Sequence, residues 1–301
     1  MTTSPPVSVV ITNFNTTDLT VRCVEALRRL SPPEVEIVIV DDGSAQSPRS
    51  VLPADVRVLE NPTNVGYVRS VNIGVRAATR DLVLLLDSDA APLTDVVSAL
   101  GTIFAQDPGL GALGFHLVDK DGSPTGATQP EPTPLGLALG QALEERIVAR
   151  RASSTAQFTI HSCALAFRRQ VFLDVGGFDE GFDFLDADTD FSMRLWRAGW
   201  RLAMDHDSRI LHEGSGSPQT TARRVVRHHA NRWRLLEKHG LISHPRLLKG
   251  VLALRHAAEL LWLSGPARFL PGQTPERRAD KVASRRQLLS TVWSSYRAPT
   301  R

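Results

Sequence analysis

Two hydrophobic periods alternate along the first half of this chain. Short runs, Val7-Ser-Val-Val-Ile-Thr12, Glu36-Ile-Val-Ile-Val40, Val56-Arg-Val-Leu59 and Leu82-Val-Leu-Leu-Leu86, read as strands; the last, with five apolar residues in a row, reads as buried on both faces. Between them, Leu19 to Leu30 repeats Val21, Val24, Leu27 and Leu30 at helical spacing, behind an N-cap offered by Thr16, Thr17 or Asp18. Gly66 to Thr79 does the same with Val68, Val71, Val75 and Ala78, and Leu93 to Gln106 is a further predicted helix. Pro32-Pro33 and Asp107-Pro-Gly109 are stops. Strands alternating with helices predict a parallel, doubly wound sheet.

Three strand ends in this half carry polar clusters: Thr12-Asn-Phe-Asn15, Asp41-Asp42 and Asp87-Ser-Asp89. Such ends lie side by side in a parallel sheet, and open α/β sheets bind ligands there. Asp87 and Asp89 suit a hard cation that in turn holds a phosphate; the plainer reading is one acid capping the next helix and the other facing water.

The second half is less regular. Leu110 to Val118 and Phe158 to Phe167 read as strands, Asp119 to Gly122 as a hairpin turn and Ser123 to Pro134 as a mobile loop. Arg169 to Val175 and Phe191 to Ala198 are short helices; Arg201 to Met204 and Arg209 to Leu211 are two short strands, the second leading into His212. Beyond Thr220 the pattern is helical, broken at Gly240, Pro245, Gly265-Pro266 and Pro271.

The loop Asp179 to Asp190 sets six carboxylates (Asp179, Glu180, Asp183, Asp186, Asp188, Asp190) among Phe178, Phe182, Phe184 and Leu185. Crowded carboxylates raise one another's pKa unless a cation intervenes. Asp190 is spaced to pair with Arg194 one turn on, which leaves Asp188 as a candidate general base or an N-cap. His212, alone at a strand end, becomes a metal ligand only in company with Asp89. His228-His229, inside a basic helix, reads as solvated.

Composition narrows the class. With 301 residues, 42% hydrophobic and 22% charged, the chain is an ordinary globular one. Cys23 and Cys163 lack CxxC spacing, which argues against a disulfide framework and fits a reducing cytoplasm. Met1 to Pro6 lacks signal-peptide features, and no apolar run reaches the roughly 20 residues of a membrane span. No P-loop, strand-linked GxGxxG, HExxH or GxSxG occurs. Net charge is +3, but Ser217 to Arg301 holds 17 Lys/Arg against 4 Asp/Glu (+13), leaving −10 for the rest. That asymmetry suggests an anionic partner for the tail, or basic helices paired with the acidic body.

The ordered series Val7-Ser-Val-Val-Ile-Thr-Asn-Phe-Asn15, Ile39-Val-Asp-Asp-Gly-Ser44, Asn64-Val-Gly-Tyr67 through Asn72, Asp87-Ser-Asp89, Gly176-Gly-Phe-Asp-Glu180, Asp188-Thr-Asp190 with Arg194, Ala198-Gly-Trp200, and His212 with Gly214 and Ser217 resembles the family 2 glycosyltransferases. The resemblance covers Val7 to Ser217 and implies a GT-A fold: a mostly parallel central sheet flanked by helices over residues 1–217, with a basic helical C-terminal region, residues 218–301. It also implies an inverting transferase, a nucleotide-diphosphate-sugar donor (dTDP- or UDP-linked) and Mn2+ or Mg2+. Carried over, Thr12, Phe14 and Asn15 would line the nucleoside pocket, Asp42 would accept from the base with Asp41 beside it, Asn72 and Ser88 would lie near the donor, and Asp87 would face the sugar or ribose. Asp89 and His212 would hold the metal, Asp188 would deprotonate the acceptor hydroxyl, and Asp186 and Trp200 would touch the acceptor. The family has Glu where this chain has Ala187, which puts that neighbour's role in doubt; Asp186 is the nearby substitute.

The expected acceptor is a glycan, a lipid-linked intermediate or a small natural product; no nucleic acid is expected. A likeness over Arg227 to Gly240 suggests rhamnosyl transfer. Leu247 to Leu263 is an amphipathic stretch suited to an anionic membrane surface or to packing on its own domain, so a cytoplasmic protein at the inner membrane face is one expectation. The competing function classes are a non-catalytic sugar-nucleotide or glycan-binding relative, hinted at by Ala187, and a nucleotidyltransferase, which would want a Gly-rich phosphate loop where Asn13-Phe-Asn15 stands.

Overall fold

The computed structural model describes residues 7–140, 143, 157–214, 221–265 and 274–296, in two units: 1–131 with 157–217, and 132–156 with 218–301. The first unit runs to Ser217, and residues 132–156 group with 218–301 in the second. Ser217 itself lies outside the described residues.

In the first unit the alternating pattern folds as β1 (Val7–Asn13), α1 (Thr17–Leu30), β2 (Glu36–Asp41), β3 (Arg57–Glu60), α2 (Tyr67–Ala77), β4 (Leu82–Asp87), β5 (Ala90–Pro92), α3 (Val96–Gln106) and β6 (Leu110–Val118). These join one eight-stranded sheet of order β3-β2-β1-β4-β9-β6-β10-β5, where β9 is Ala164–Arg168 and β10 is Arg201–His212. The strands β3, β2, β1 and β4 are parallel neighbours, and β10 runs parallel to β6. Into this frame β9 enters antiparallel between β4 and β6, and β5 closes the edge antiparallel to β10. The five apolar residues of β4 are 0–2% exposed, as a strand covered on both faces requires. Around them the core gathers Val9, Ile11, Leu27, Ile39, Leu100, Phe104 and Phe115.

Several local readings change. The segment expected as two short strands is the single β10, broken in register between Asp205 and Arg209. The predicted loop Ser123 to Pro134 contains β7 (Thr128–Pro130), which pairs antiparallel with β8 (Phe158–Ile160). The helix expected from Leu93 begins at Val96, where the side chain of Asp95 caps it through the amide of Ser98. Two short helices complete the unit, α5 (Arg169–Asp174) and α6 (Ala187–Arg197).

The second unit holds α4 (Pro134–Leu139), α7 (Thr221–Lys238), α8 (Pro245–Ser264) and α9 (Pro275–Thr291). They meet over Leu137, Trp233, Leu236, Leu252, Leu288 and Tyr296. His229 is buried among them, contrary to the solvated reading: it stands between Val225 and Trp233 at helical spacing, so its ring turns inward. Its Nδ1 lies 2.9 Å from the carbonyl of Val225, and burial pushes its pKa down to about 3. The ring packs 5.1 Å from that of His256, whose Nε2 is 2.9 Å from the hydroxyl of Tyr296. No helix among the described residues is long and apolar enough to cross a membrane.

Candidate active site

The parallel strands β1, β2, β4, β6 and β10 end at one edge of the sheet, and the antiparallel β9 begins there, with Ala164 opposite Leu86. That edge receives Asn13, Asp41, Asp87 and His212 from strand ends. It also receives Ser162 and Cys163 from the segment entering β9.

At its centre are Asp87, Asp89 and His212, each offering a ligand atom within 4.8 Å of the others. Local pairing sets this up: Ala90, next to Asp89, is opposite His212 in the β5–β10 ladder, and the amide of Glu213 donates to the carbonyl of Asp89 at 3.2 Å. His212 Nε2 lies 3.6 Å from Asp89 Oδ1. Glu213 is held by Arg22 at 3.3 Å and Lys120 at 3.2 Å, which fixes the end of β10. Burial, then the carboxylate of Asp89, pushes the pKa of Asp87 up to about 7; a hydrogen bond from Tyr67 pulls against this, and Asp188 adds to the rise. Crowded, poorly solvated carboxylates beside one imidazole are short of positive charge, and a divalent cation supplies it. Two carboxylates and one imidazole fit such an ion. Burial and the same acids raise the pKa of both thiols, Cys23 and Cys163, which are unpaired with each other and poor nucleophiles.

Asp188 stands in the first turn of α6. Its Oδ2 accepts from the amide of Ser162 at 3.0 Å and its Oδ1 from the amide of Thr189 at 2.8 Å. The Ser162 hydroxyl in turn accepts from the phenol of Tyr67 at 3.0 Å. Tyr67, kept protonated by burial and by Asp87, therefore links the strand-end acids to the Asp188 loop. Sequence reading missed both residues as site members. Tyr67 is the first residue of a helix chosen for its apolar face, and Ser162 acts on Asp188 through a main-chain N–H that any residue but proline supplies.

The other predicted residues differ in what holds them. Thr12, Phe14 and Asn15 lie at the end of β1; Phe14 is 47% exposed, and Asn15 (φ +55°) receives the amide of Ala45 and donates its own amide to Ser44. Ser88 meets Thr16 hydroxyl to hydroxyl at 2.9 Å, tying the acidic turn to the start of α1. Asp41, Asp42 and Asn72 hold main chain and neighbours. Asp41 accepts from Asn13 (2.6 Å) and Ser44 (2.5 Å), and Asp42 accepts from the amides of Val65 (2.8 Å) and Gly66 (2.9 Å) and from Asn61 (3.0 Å). Asn72, 1% exposed, clasps Phe178 on both main-chain groups. Asp186 precedes α6 in the left-handed conformation (φ +65°), which Asp tolerates better than most residues, and Ala187 beside it is buried. Asp190 pairs with Arg194 at 2.8 Å as its spacing predicts, and that guanidinium also binds the carbonyls of Val175 and Gly177.

Trp200, expected at the acceptor, lies at the far end of β10 from His212. It immediately precedes β10 and packs over Gly111 at the start of β6, whereas His212 ends β10. The length of β6 separates it from the acids by about 25 Å.

A family model described as glycosyl transferase family 2 matches residues 8–176, more than half of the chain. The pre-mycofactocin glycosyltransferase of Mycobacterium tuberculosis is 31% identical over 211 residues, covering 69% of this chain; the chain spans 42% of that relative's length. The N-acetylglucosaminyl-diphospho-decaprenol L-rhamnosyltransferase of the same species is 26% identical over 267 residues, covering 78% of this chain and 86% of the relative. Among solved structures, GalNAc-T7 with UDP, GalNAc and Mn2+ aligns over 93% of this chain and 55% of its own (TM-score 0.56, 18% identity). The Pyrobaculum calidifontis mannosyltransferase PcManGT with GDP-Man and Mn2+ aligns over 96% and 88% (TM-score 0.54, 18% identity). These two establish the GT-A fold. With the family model matched from β1 through α5 and the acids gathered at one sheet edge, the chain belongs to glycosyl transferase family 2.

Proposed function

We propose that this chain moves one sugar from a dTDP- or UDP-linked donor to an acceptor hydroxyl, with inversion at the anomeric carbon. The observation that carries the proposal is Asp188, a carboxylate fixed by two amides and linked through Ser162 and Tyr67 to the Asp87–Asp89–His212 cluster. The acceptor oxygen forms its bond to the anomeric carbon as the bond to the diphosphate oxygen breaks and that oxygen keeps the electron pair. Asp188 takes the hydroxyl proton as charge develops. Asp89 and His212 would hold a divalent cation, which when bound neutralises charge on the departing diphosphate. The imidazole favours Mn2+ over Mg2+, in keeping with the Mn2+ in both solved relatives. Asp87 orients the donor. The rhamnosyltransferase that this chain matches over 86% of its length supports L-rhamnose as the sugar and a lipid-linked diphosphate as the acceptor class.

The test pairs Asp188→Asn with Asp89→Ala. Thermal shifts with UDP, dTDP or GDP and Mn2+ should show about 2.7 kcal/mol of stabilisation at 100 times the dissociation constant in wild type and Asp188→Asn. Asp89→Ala should lose the Mn2+-dependent part. Transfer by Asp188→Asn should fall by roughly 10²–10⁴. Full transfer by that variant removes Asp188 from the mechanism, and no shift with any nucleotide and metal removes the donor assignment.

A further inference from the structure

A helix in a folded unit usually turns one apolar stripe inward and a polar face to water. The helix α8 carries two apolar stripes. Leu248, Leu252, His256 and Leu263 are buried, while Leu247, Val251, Leu254, Leu261 and Trp262 are 41–74% exposed. The exposed set, continued by Ala258, recurs mostly at steps of three and four and fills an arc of about 100° along about 22 Å of helix. The charged residues of α8 (Arg246, Lys249, Arg255, Glu259) fall outside that arc. Beside it, α4 adds Leu135 and Leu139, 47% and 38% exposed; Arg255 joins the two helices by donating to the carbonyls of Leu137 (3.0 Å) and Ala138 (2.9 Å).

We propose that this face docks the chain on an anionic lipid bilayer, with α8 lying flat in the headgroup layer. Charge selects the occupant. The second unit, 132–156 with 218–301, holds 20 Lys/Arg against 6 Asp/Glu, a net +14. An anionic surface attracts that charge, whereas a second copy meeting it face to face is repelled. A helix pair between copies would also want acids flanking the seam. The one acid of α8, Glu259, is already held by Arg255 at 2.9 Å and by Arg285. Trp262 suits the interface, where an apolar ring body meets a wet edge.

Co-sedimentation of the full chain with vesicles tests this without any readout of transfer. Vesicles with 30% phosphatidylglycerol at 50 mM NaCl should bind it at least tenfold more tightly than pure phosphatidylcholine, and 500 mM NaCl should remove most of that preference. Leu254→Glu/Leu261→Glu should weaken binding at least tenfold with an unchanged melting temperature, since both positions are more than 70% exposed. If that variant unfolds, Leu247→Ser/Leu254→Ser takes its place. Absence of wild-type binding to anionic vesicles at low salt overturns the proposal, as does equal binding by a folded variant. A dimer in sedimentation equilibrium that the variant dissociates, without vesicle binding, assigns the face to a second copy and overturns it as well.

Discussion

Asn72→Ala separates two roles for a residue that both family likeness and geometry single out. Its Nδ2 donates to the carbonyl of Phe178 at 2.8 Å and to Glu180 at 3.2 Å, and its Oδ1 accepts from the amide of Phe178 at 2.9 Å. Phe178 is itself 1% exposed, so truncation leaves a main-chain N–H and C=O without partner or water. Each such orphan costs about 1–3 kcal/mol, giving about 2–6 kcal/mol together. At about 2–4 °C per kcal/mol for a unit of this size, the melting temperature should fall by roughly 4–24 °C. The clasp leans on Gly177 (φ +68°), where a Cβ would stand 2.8 Å from Asn72 Oδ1. Differential scanning calorimetry of the ligand-free protein, with nucleotide titration of the same variant, reads both roles. An unchanged melting temperature with a tenfold loss of nucleotide affinity would refute the clasp and restore Asn72 to the donor.

Two further substitutions probe packing and charge. A methyl at Gly74, where α2 lies on the sheet, would come within 2.5 Å of Val10 Cγ1 and 2.9 Å of Val40 Cγ2. Both side chains are stiff and fully buried, so Gly74→Ala should cost about 1–3 kcal/mol in urea unfolding despite its better helix propensity; a stabilised variant would show that the sheet face yields. Burial opposes ionisation of Glu259, but the His256 ring at 4.0 Å, the hydrogen bond from Arg255 and the Arg285 charge outweigh it, so its folded pKa lies below the usual 4.5. A depressed carboxylate pKa contributes stability that is present above about pH 4.5 and is lost as the pH falls through the folded value. Glu259→Gln should therefore lower stability at neutral pH and flatten its decline between about pH 4.5 and 2, and an identical pH profile in wild type and variant would dismiss the pair.

Local pattern in the sequence was enough for much of this protein. The β-branched and apolar runs specify β1, β2, β3 and β4, and the spaced apolar residues specify α1 and α2, because strand and helix periods are set within a few residues. Acids at the ends of β2 and β4 reach one edge because parallel strands share a direction. The Asp190–Arg194 pair needs only one helical turn.

Long-range placement decided the rest. No local signal inserts β9 antiparallel between β4 and β6, yet that insertion brings Ser162 to Asp188 and Cys163 to the amide of Asp87. Nor does helical spacing say which side of a helix finds a partner, so His229 turns inward and α8 keeps an apolar stripe outside. A motif fixes order along the chain but not distance in space. Trp200 and His212 belong to one ordered series and lie at opposite ends of β10, while Asp188, about a hundred residues from Asp87 in sequence, raises the pKa of Asp87 because the fold brings their backbones to the same edge.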